Sequence, residues 1–187
     1  MTLARERVIV QPACASSSNA RANAKELILR AYDDRTSSAN AFAREVDRDG
    51  VRRLVMIRAR ADAGDDGLDD VIGCVELRRS CAMYGNEWAS NVLMELVLVA
   101  PEARGCGYGK TLVARAREYA FRELRADVVS AYCEETLIGF YTSSACGFVY
   151  EEPRGKRAGE RGLEACVRAF ASEETRARYD AGRAASR

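Results

Sequence analysis

The 187-residue chain contains no histidine, the side chain that most often transfers protons in enzymes at neutral pH. Any proton transfer must therefore fall to a carboxylate, a phenol, a thiol or water. Histidine is also a common metal ligand, and the seven cysteines include no C-x-x-C pair, so we expect no metal site. The prediction is a cytoplasmic protein with reduced thiols.

The chain also lacks an excess of either charge, because 29 Lys and Arg residues nearly balance 28 Asp and Glu residues. No net field favours nucleic acid, so none is expected as a partner. The longest apolar run, Val92–Ala100, is too short to span a bilayer, and no cleavable signal is apparent, so no membrane partner is expected either. The length fits one domain with a full-sized core.

Apolar periodicity predicts a mixed α/β chain in which a meander of strands is followed by crossover helices after residue 109. The predicted strands are Glu6–Val10, Arg53–Ala59, Val71–Leu77, Asn91–Val99, Val128–Tyr132, Phe148–Glu151 and Leu163–Phe170. The predicted helices are Asn23–Tyr32, Ala39–Val46, Gly109–Leu124 and Glu135–Cys146. Five aspartates in residues 61–70 indicate a solvated hairpin loop, and the residues beyond Ala171 a helical or frayed tail.

The most informative segment runs from Glu95 to Val113, where an apolar strand leads into alternating glycines and then a helix. Gly105, Gly107 and Gly109 leave no side chains in the way, so successive backbone N–H groups can turn toward one point. The helix that follows adds its free N-terminal donors and the positive end of its dipole. This pattern predicts an anion cradle for a phosphorylated small molecule.

The residues Arg104–Gly109 match a [RQ]-x-x-G-x-[GA] loop, placed after strand Val92–Val99 and followed by a helix, strand Val128–Tyr132, a second helix and Gly147-Phe148. In this motif and setting, residues 71–151 resemble the GNAT superfamily of acetyl-coenzyme A-dependent N-acetyltransferases. The resemblance implies a mostly antiparallel central sheet of about seven strands, flanked by helices, in one domain. It places an N-acetyltransferase domain at residues 1–170, its cofactor-binding and catalytic core at 71–151, and a tail at 171–187.

The resemblance also implies the chemistry, in which an amine attacks the thioester of acetyl-coenzyme A directly. By resemblance, backbone amides near the end of the fourth strand polarise the thioester carbonyl, as an oxyanion hole does; these are Leu96, Val97, Leu98 and Val99. The pyrophosphate would be held by the glycine loop and its flanking charges, namely Arg104, Gly105, Cys106, Gly107, Tyr108, Gly109 and Lys110.

Two proton transfers remain, one from the ammonium and one to the departing thiolate. Glu95 is the candidate base, because it is the one charge in an apolar strand; the alternative is an ion pair with an arginine such as Arg78. Tyr141 is the candidate acid by resemblance, and its alternative is core packing beside Phe140. Five residues separate Tyr141 from Gly147, two more than the family pattern has, so Ser143 holds the customary spacing.

Two other classes of protein have to be weighed. Gly-Cys-Gly-Tyr-Gly-Lys-Thr ends like the phosphate-binding loop of a P-loop nucleotide-binding protein, but Arg104 stands where that motif needs its first glycine. The irregular spacing after Tyr141 also leaves room for a non-catalytic module that binds an acyl-coenzyme A.

The sequence does not identify the amine acceptor, which can be a protein N-terminus, a lysine or a small amine. Protein N-termini and small amines are slightly favoured, because an α-amine is more easily deprotonated than lysine. Residues 153–162 carry four positive charges and one negative charge, which predicts a solvated loop that favours acidic acceptors.

Overall fold

Seven β-strands in one sheet organise the part of the chain that the structure describes. The structure is a computed structural model that describes residues 7–32, 35–44, 47, 50–59, 70–84, 87–151 and 164–185. The strands are β1 (Arg7–Pro12), β2 (Val51–Ala59), β3 (Asp70–Tyr84), β4 (Glu87–Val99), β5 (Val128–Glu134), β6 (Val149–Glu151) and β7 (Glu164–Phe170). Their order across the sheet is β1-β2-β3-β4-β5-β7-β6.

The pairing confirms the predicted mixed, mostly antiparallel sheet of seven strands. β1 pairs antiparallel with β2, and β7 pairs antiparallel with both β5 and β6. β4 and β5 run parallel, and their pairing covers Asn91–Met94 of β4. Pro12, which has no N–H to donate, ends the edge strand β1, where this loss is tolerated.

Five α-helices lie between and after the strands along the described chain. They are α1 (Ser18–Ala31), α2 (Thr36–Phe42), α3 (Tyr108–Arg122), α4 (Ile138–Tyr141) and α5 (Glu173–Ala185). α1 begins five residues before its predicted start because Ser17 caps it, accepting a hydrogen bond from the Ala20 N–H at 3.0 Å. α2 begins three residues before its prediction and ends at Phe42; Val46, its predicted end, lies outside the described residues.

The described chain divides into two compact units, the first formed by Met1–Glu76 and Leu96–Leu112. Its core packs small and medium apolar side chains around α1, and its largest buried members are Ile28 and Phe42. Beneath α2, Arg53 forms buried ion pairs with Glu76 (3.0 Å) and Asp47 (3.1 Å). The opposite partners offset part of the cost of removing these charges from water.

The second unit comprises Leu77–Glu95 and Val113–Arg187. A chain of buried and half-buried polar contacts crosses it from strand to strand. Ser130 donates to Asn91 (2.8 Å) and accepts from Arg168 (2.9 Å), which in turn pairs with Glu151. Tyr179 of α5 donates to the same Glu151 and is itself buried. α5 therefore packs on the sheet through Tyr179.

Two strands are longer than predicted, and several predicted segments lie outside the described residues. β3 continues to Tyr84, beyond its predicted end at Leu77, and β4 begins at Glu87, before its predicted start at Asn91. The prediction missed these parts because residues 78–81 and Trp88 are exposed and show no apolar alternation. Glu6, Leu163 and residues 61–69 of the predicted hairpin loop lie outside the described residues, as does the basic segment 153–162.

The predicted helix Glu135–Cys146 is helical only as far as Tyr141, and its predicted end was wrong. A 3-10 turn covers Glu135–Leu137, and α4 then ends at Tyr141. Beyond it, hydroxyl groups compete for the backbone: Thr142 donates to the Ile138 carbonyl (2.9 Å) and Ser143 donates to the Phe140 carbonyl (2.7 Å). Such local side-chain bonds offer the chain an alternative to the helix, and turns therefore lead to Gly147.

Candidate active site

The glycine loop adopts the left-handed backbone conformation that its sequence requires. Gly105 has φ +79° and Gly107 has φ +83°, values that side-chain-bearing residues rarely adopt. No described atom lies within 4 Å of a Cβ placed at either position, so neighbouring side chains do not demand these glycines. The backbone conformation does, and it leaves open space in front of an exposed loop.

The loop leads directly into the N-terminus of α3 at Tyr108. The Thr111 N–H donates to the Gly107 carbonyl at 3.2 Å, which closes the first turn. The helix dipole concentrates partial positive charge at this first turn, where backbone N–H groups point out of the helix. Lys110 is exposed on the same first turn. The arrangement suits an anion that can accept several N–H bonds at once.

Arg104 connects this loop to the end of β4. Its side chain is exposed, and its Nε donates to the Val99 carbonyl at 3.1 Å. A guanidinium has five N–H donors, so this one bond fixes the side chain and leaves donors for an oxyanion.

β4 itself is distorted next to the candidate base. Leu96 has φ +50°, one of two non-glycine residues with positive φ in the described chain. This conformation costs of order 1–2 kcal/mol in a residue with a side chain. The pairing with β5 includes Met94 and no later residue of β4. Leu96, Val97 and Val99 are half-buried, whereas Leu98 is buried.

β3 approaches the same part of β4 closely at Gly73. A Cβ at this position would lie 2.9 Å from the Leu98 carbonyl oxygen and 3.3 Å from a Leu112 methyl group. Glycine is therefore needed here for space. It sets how near the backbone of Leu98 can come to its neighbouring strand.

Glu95 is half-buried and paired, not fully buried as its apolar strand predicted. Its Oε2 accepts from the Arg78 Nε at 3.0 Å, which is the ion pair anticipated as the alternative to a catalytic role. The exposed fractions of the two side chains, 35% for Glu95 and 51% for Arg78, leave the pair open to solvent. Within the described residues, its other carboxylate oxygen makes no hydrogen bond.

Tyr141, at the end of α4, is 6% exposed and packs edge-on against two phenylalanines. Its ring centroid lies 5.0 Å from that of Phe140 and 5.7 Å from that of Phe148. These contacts supply the core packing anticipated as the alternative to an acid role. Ser143 directs its hydroxyl to the Phe140 carbonyl, so this hydroxyl serves the turn.

Two features of the site had no signal in the sequence. The positive φ of Leu96 is set by the strand around it, and leucine is not a residue whose presence suggests it. The second is Arg117, whose guanidinium lies over Gly147 and donates to the Cys146 carbonyl. Gly147-Phe148 is visible in the sequence, but nothing there indicates that Arg117 lies against Gly147.

Burial perturbs two thiols and one guanidinium. It raises the pKa of Cys74 far above the ordinary thiol value, with the charge of Glu76 adding to the effect. It also raises the pKa of Cys166, where Arg168 opposes and Glu151 supports the shift. Burial disfavours charge on Arg168, but the hydrogen bond to Glu151 and the surrounding negative groups outweigh it and raise its pKa. None of the seven cysteines forms a disulfide.

In the described part of the chain, no helix is both long and apolar enough to cross a membrane. The family model for the acetyltransferase (GNAT) family matches residues 25–148. A comparison with curated proteins finds no significant match.

Solved structures of similar fold include a variant of the spermidine N-acetyltransferase SpeG from Vibrio cholerae, 17% identical, with a TM-score of 0.60 over 89% of this chain and 95% of that chain. A dodecameric structure of the Vibrio cholerae enzyme gives the same four values. A further variant, described as a spermidine/spermine N-acetyltransferase, is 16% identical with a TM-score of 0.61 over 91% and 97%. These likenesses concern the fold.

Proposed function

This chain belongs to the acetyltransferase (GNAT) family, and we propose that it transfers the acetyl group of acetyl-coenzyme A to a primary amine by direct attack in a ternary complex. Members of this family are acyltransferases, and the family generally uses acetyl-coenzyme A as cosubstrate. The observation that carries the proposal is the glycine loop, where Gly105 and Gly107 form an open turn at the start of α3.

The residues of the loop fit the diphosphate of coenzyme A. The amides from Cys106 to Lys110 include the first turn of α3, where partial positive charge is concentrated. Arg104 and Lys110 add two exposed cationic side chains next to it. Side chains at Gly105 or Gly107 would take up the open space that an anion needs. When bound, the cosubstrate supplies the activated acetyl group as a thioester.

The backbone of Leu96–Val99 is the proposed oxyanion site. The unusual φ of Leu96 turns the strand locally, which is one way to free N–H groups from a regular ladder. Amides that are held in place before the reaction stabilise developing negative charge without reorganising. Gly73 supports this segment from β3, because only glycine fits against the Leu98 carbonyl.

Glu95 is the proposed general base. Arg78 holds one carboxylate oxygen, and the other makes no hydrogen bond within the described residues, so it can accept a proton from the substrate ammonium. The side chain is partly exposed, as a group that exchanges protons with an entering amine must be. The ion pair and the base role are therefore compatible, since they use different oxygens.

Tyr141 is the proposed acid that donates a proton to the departing thiolate. Its ring is fixed by Phe140 and Phe148, so the position of its hydroxyl is well defined. A thiolate is a good leaving group at neutral pH, because a thiol has a pKa near 8.5. The acid is accordingly expected to matter less than the base.

The acceptor is proposed to be a protein N-terminus or a small amine. The similar solved structures are described as spermidine N-acetyltransferases, which makes spermidine the first small amine to test. At 17% identity this likeness does not carry the choice of substrate, so N-terminal peptides and free lysine belong in the same panel.

A non-catalytic module that binds acyl-coenzyme A is the second candidate. The observation that favours it is that both candidate acid–base residues, Glu95 and Tyr141, already have structural partners.

Calorimetric titration with acetyl-coenzyme A, alongside ATP with Mg²⁺, tests the cofactor. Thiol release is then followed with spermidine, acidic and basic N-terminal peptides, and lysine. Saturable thioester binding with thiol release for one amine class supports the enzyme, and binding without release for any amine supports the module. ATP binding without thioester binding would overturn both.

A further inference from the structure

A cavity lies along the carboxyl-terminal half of α3, whereas the glycine loop precedes the amino terminus of that helix. The cavity is an open groove of about 620 Å³ within the second unit. Its main lining side chains come from α3 and the end of β7; they are Arg115, Arg117, Glu118, Phe121, Arg122 and Phe170. The residues proposed for acetyl transfer do not line it.

The charge of this groove is positive, because three arginines face one glutamate. Glu118 is shared between Arg115 and Arg122, each at 3.0 Å. These pairs are exposed, with 64% and 74% of the two arginine side chains accessible, and exposed ion pairs contribute little. The two guanidiniums at the rim are thus held near the groove but can turn toward a stronger anion.

Arg117 differs from the other two because the fold positions it. Its guanidinium lies over Gly147, where a Cβ would collide with it, and donates to the Cys146 carbonyl. Gly147 has φ +70°, which favours glycine, and the absence of a Cβ leaves room for the guanidinium. Within the described residues Arg117 makes that one hydrogen bond, which leaves most of its five donors for a ligand.

The remaining wall of the groove is apolar. Phe121 and Phe170 are half-buried, and Ala114 and Ala169 lie beside them. Aromatic side chains favour a flat apolar group against them, and a guanidinium favours a phosphate or a carboxylate, which it can hold by two parallel bonds. An inorganic ion would contact only the arginines, and a neutral aromatic ring would contact only the phenylalanines.

We propose that this groove binds a small organic anion, an aryl phosphate by preference, whose anionic group contacts Arg117 and the rim arginines and whose ring lies against Phe121 and Phe170. The preference for phosphate over carboxylate follows from its greater charge. The proposal does not rest on acetyl transfer, since it concerns different residues.

Phenyl phosphate is the probe, titrated into the isotope-labelled full chain while the arginine Nε–Hε signals are followed by NMR. We expect saturable shifts of Arg117 and Arg115 with roughly millimolar affinity, weaker binding of benzoate and none of phenol. The shifts should persist with saturating coenzyme A, which excludes the glycine loop as their origin. Equal shifts with phenol, loss of binding with coenzyme A, or no saturation would overturn the proposal.

Three variants locate the site. Arg117→Gln should weaken phenyl phosphate binding about tenfold, the usual effect of one charge-assisted bond, and Arg122→Gln about threefold. Arg30→Gln is the matched control, because Arg30 is an exposed arginine on α1 that pairs with Glu26; it should change nothing. If Arg122→Gln and Arg30→Gln weaken phenyl phosphate binding equally, the effect comes from net charge and the groove is not the binding site. This comparison holds even if Arg117→Gln fails to fold.

Discussion

The glycine loop of the first unit and the acid–base candidates of the second unit differ in how their function is encoded. In the loop, Gly105 and Gly107 have positive φ and open space before them, with no described atom near a Cβ at either position. In the second unit, Glu95 already pairs with Arg78, and Tyr141 already packs on Phe148. The conformation of the loop is explained by the proposed anion binding, whereas Glu95 and Tyr141 also have a structural role, in an ion pair and in core packing.

This difference has a physical cause. A cofactor cradle made of backbone amides depends on φ and ψ, and glycine spacing determines these locally. An acid or base depends on burial and on neighbouring charges, which come from distant parts of the chain. A contact such as that between Arg78 and Glu95 is therefore compatible with either a structural or a catalytic role. Only variants that separate the two roles decide between them.

The largest expected effect is that of Glu95→Gln on turnover. If the free carboxylate oxygen accepts the proton, kcat with the preferred amine should fall by about 100-fold or more. Binding of acetyl-coenzyme A should be unchanged, because the loop is untouched. Steady-state kinetics and calorimetry provide both measurements.

Arg78→Gln is the matched control for the ion pair. It removes the same 3.0 Å contact but keeps the carboxylate, and an exposed pair of this kind contributes less than about 1 kcal/mol to stability. Its kcat should stay within about threefold of the parent. Similar, small losses in both variants would show that Glu95 serves the ion pair alone.

The next effect concerns the loop. Gly107→Val should weaken acetyl-coenzyme A binding about 30-fold, because valine at φ +83° is strained and fills the open turn. Gly50→Val is the control, since Gly50 has φ +73° and equally open surroundings among the described residues, but lies outside the loop. Calorimetry should show normal binding for it. A comparable loss of affinity in both would mean that strain alone, and not the cradle, explains the result.

The same contrast decides how much could be predicted from the sequence. Apolar periodicity predicted each of the seven strands of the sheet, and the glycine spacing identified the loop, because both signals are local. The helix was predicted to extend to Cys146 but ends at Tyr141. The Ser143 hydroxyl bonds to the backbone there, and an apolar pattern does not indicate such a bond. The φ of Leu96 and the position of Arg117 over Gly147 follow from tertiary packing, which no local pattern contains.

A smaller effect is expected at Tyr141. Tyr141→Phe keeps the ring contacts with Phe140 and Phe148 and removes only the hydroxyl. Because a thiolate leaves readily at neutral pH, kcat should fall about tenfold at most, with no change in cosubstrate affinity. Ser143→Ala should not lower kcat, since that hydroxyl already donates to the Phe140 carbonyl. The reverse order of effects would assign the acid role to Ser143.

The smallest effect compares the buried thiols of the two units. Folding raises the pKa of both Cys74 and Cys166, so above about pH 9 the unfolded chain loses thiol protons that the folded chain keeps. Stability should therefore be complete at neutral pH and decline as the pH rises, by up to about 1.4 kcal/mol per pH unit for each thiol. Cys74→Ala should flatten the decline between pH 9 and 10.5 in urea unfolding more than Cys166→Ala does. The reason is that Cys74 is completely buried and Glu76 adds to its shift, whereas Cys166 is less completely buried and Arg168 opposes the shift there. Equal slopes would contradict this difference between the two thiols.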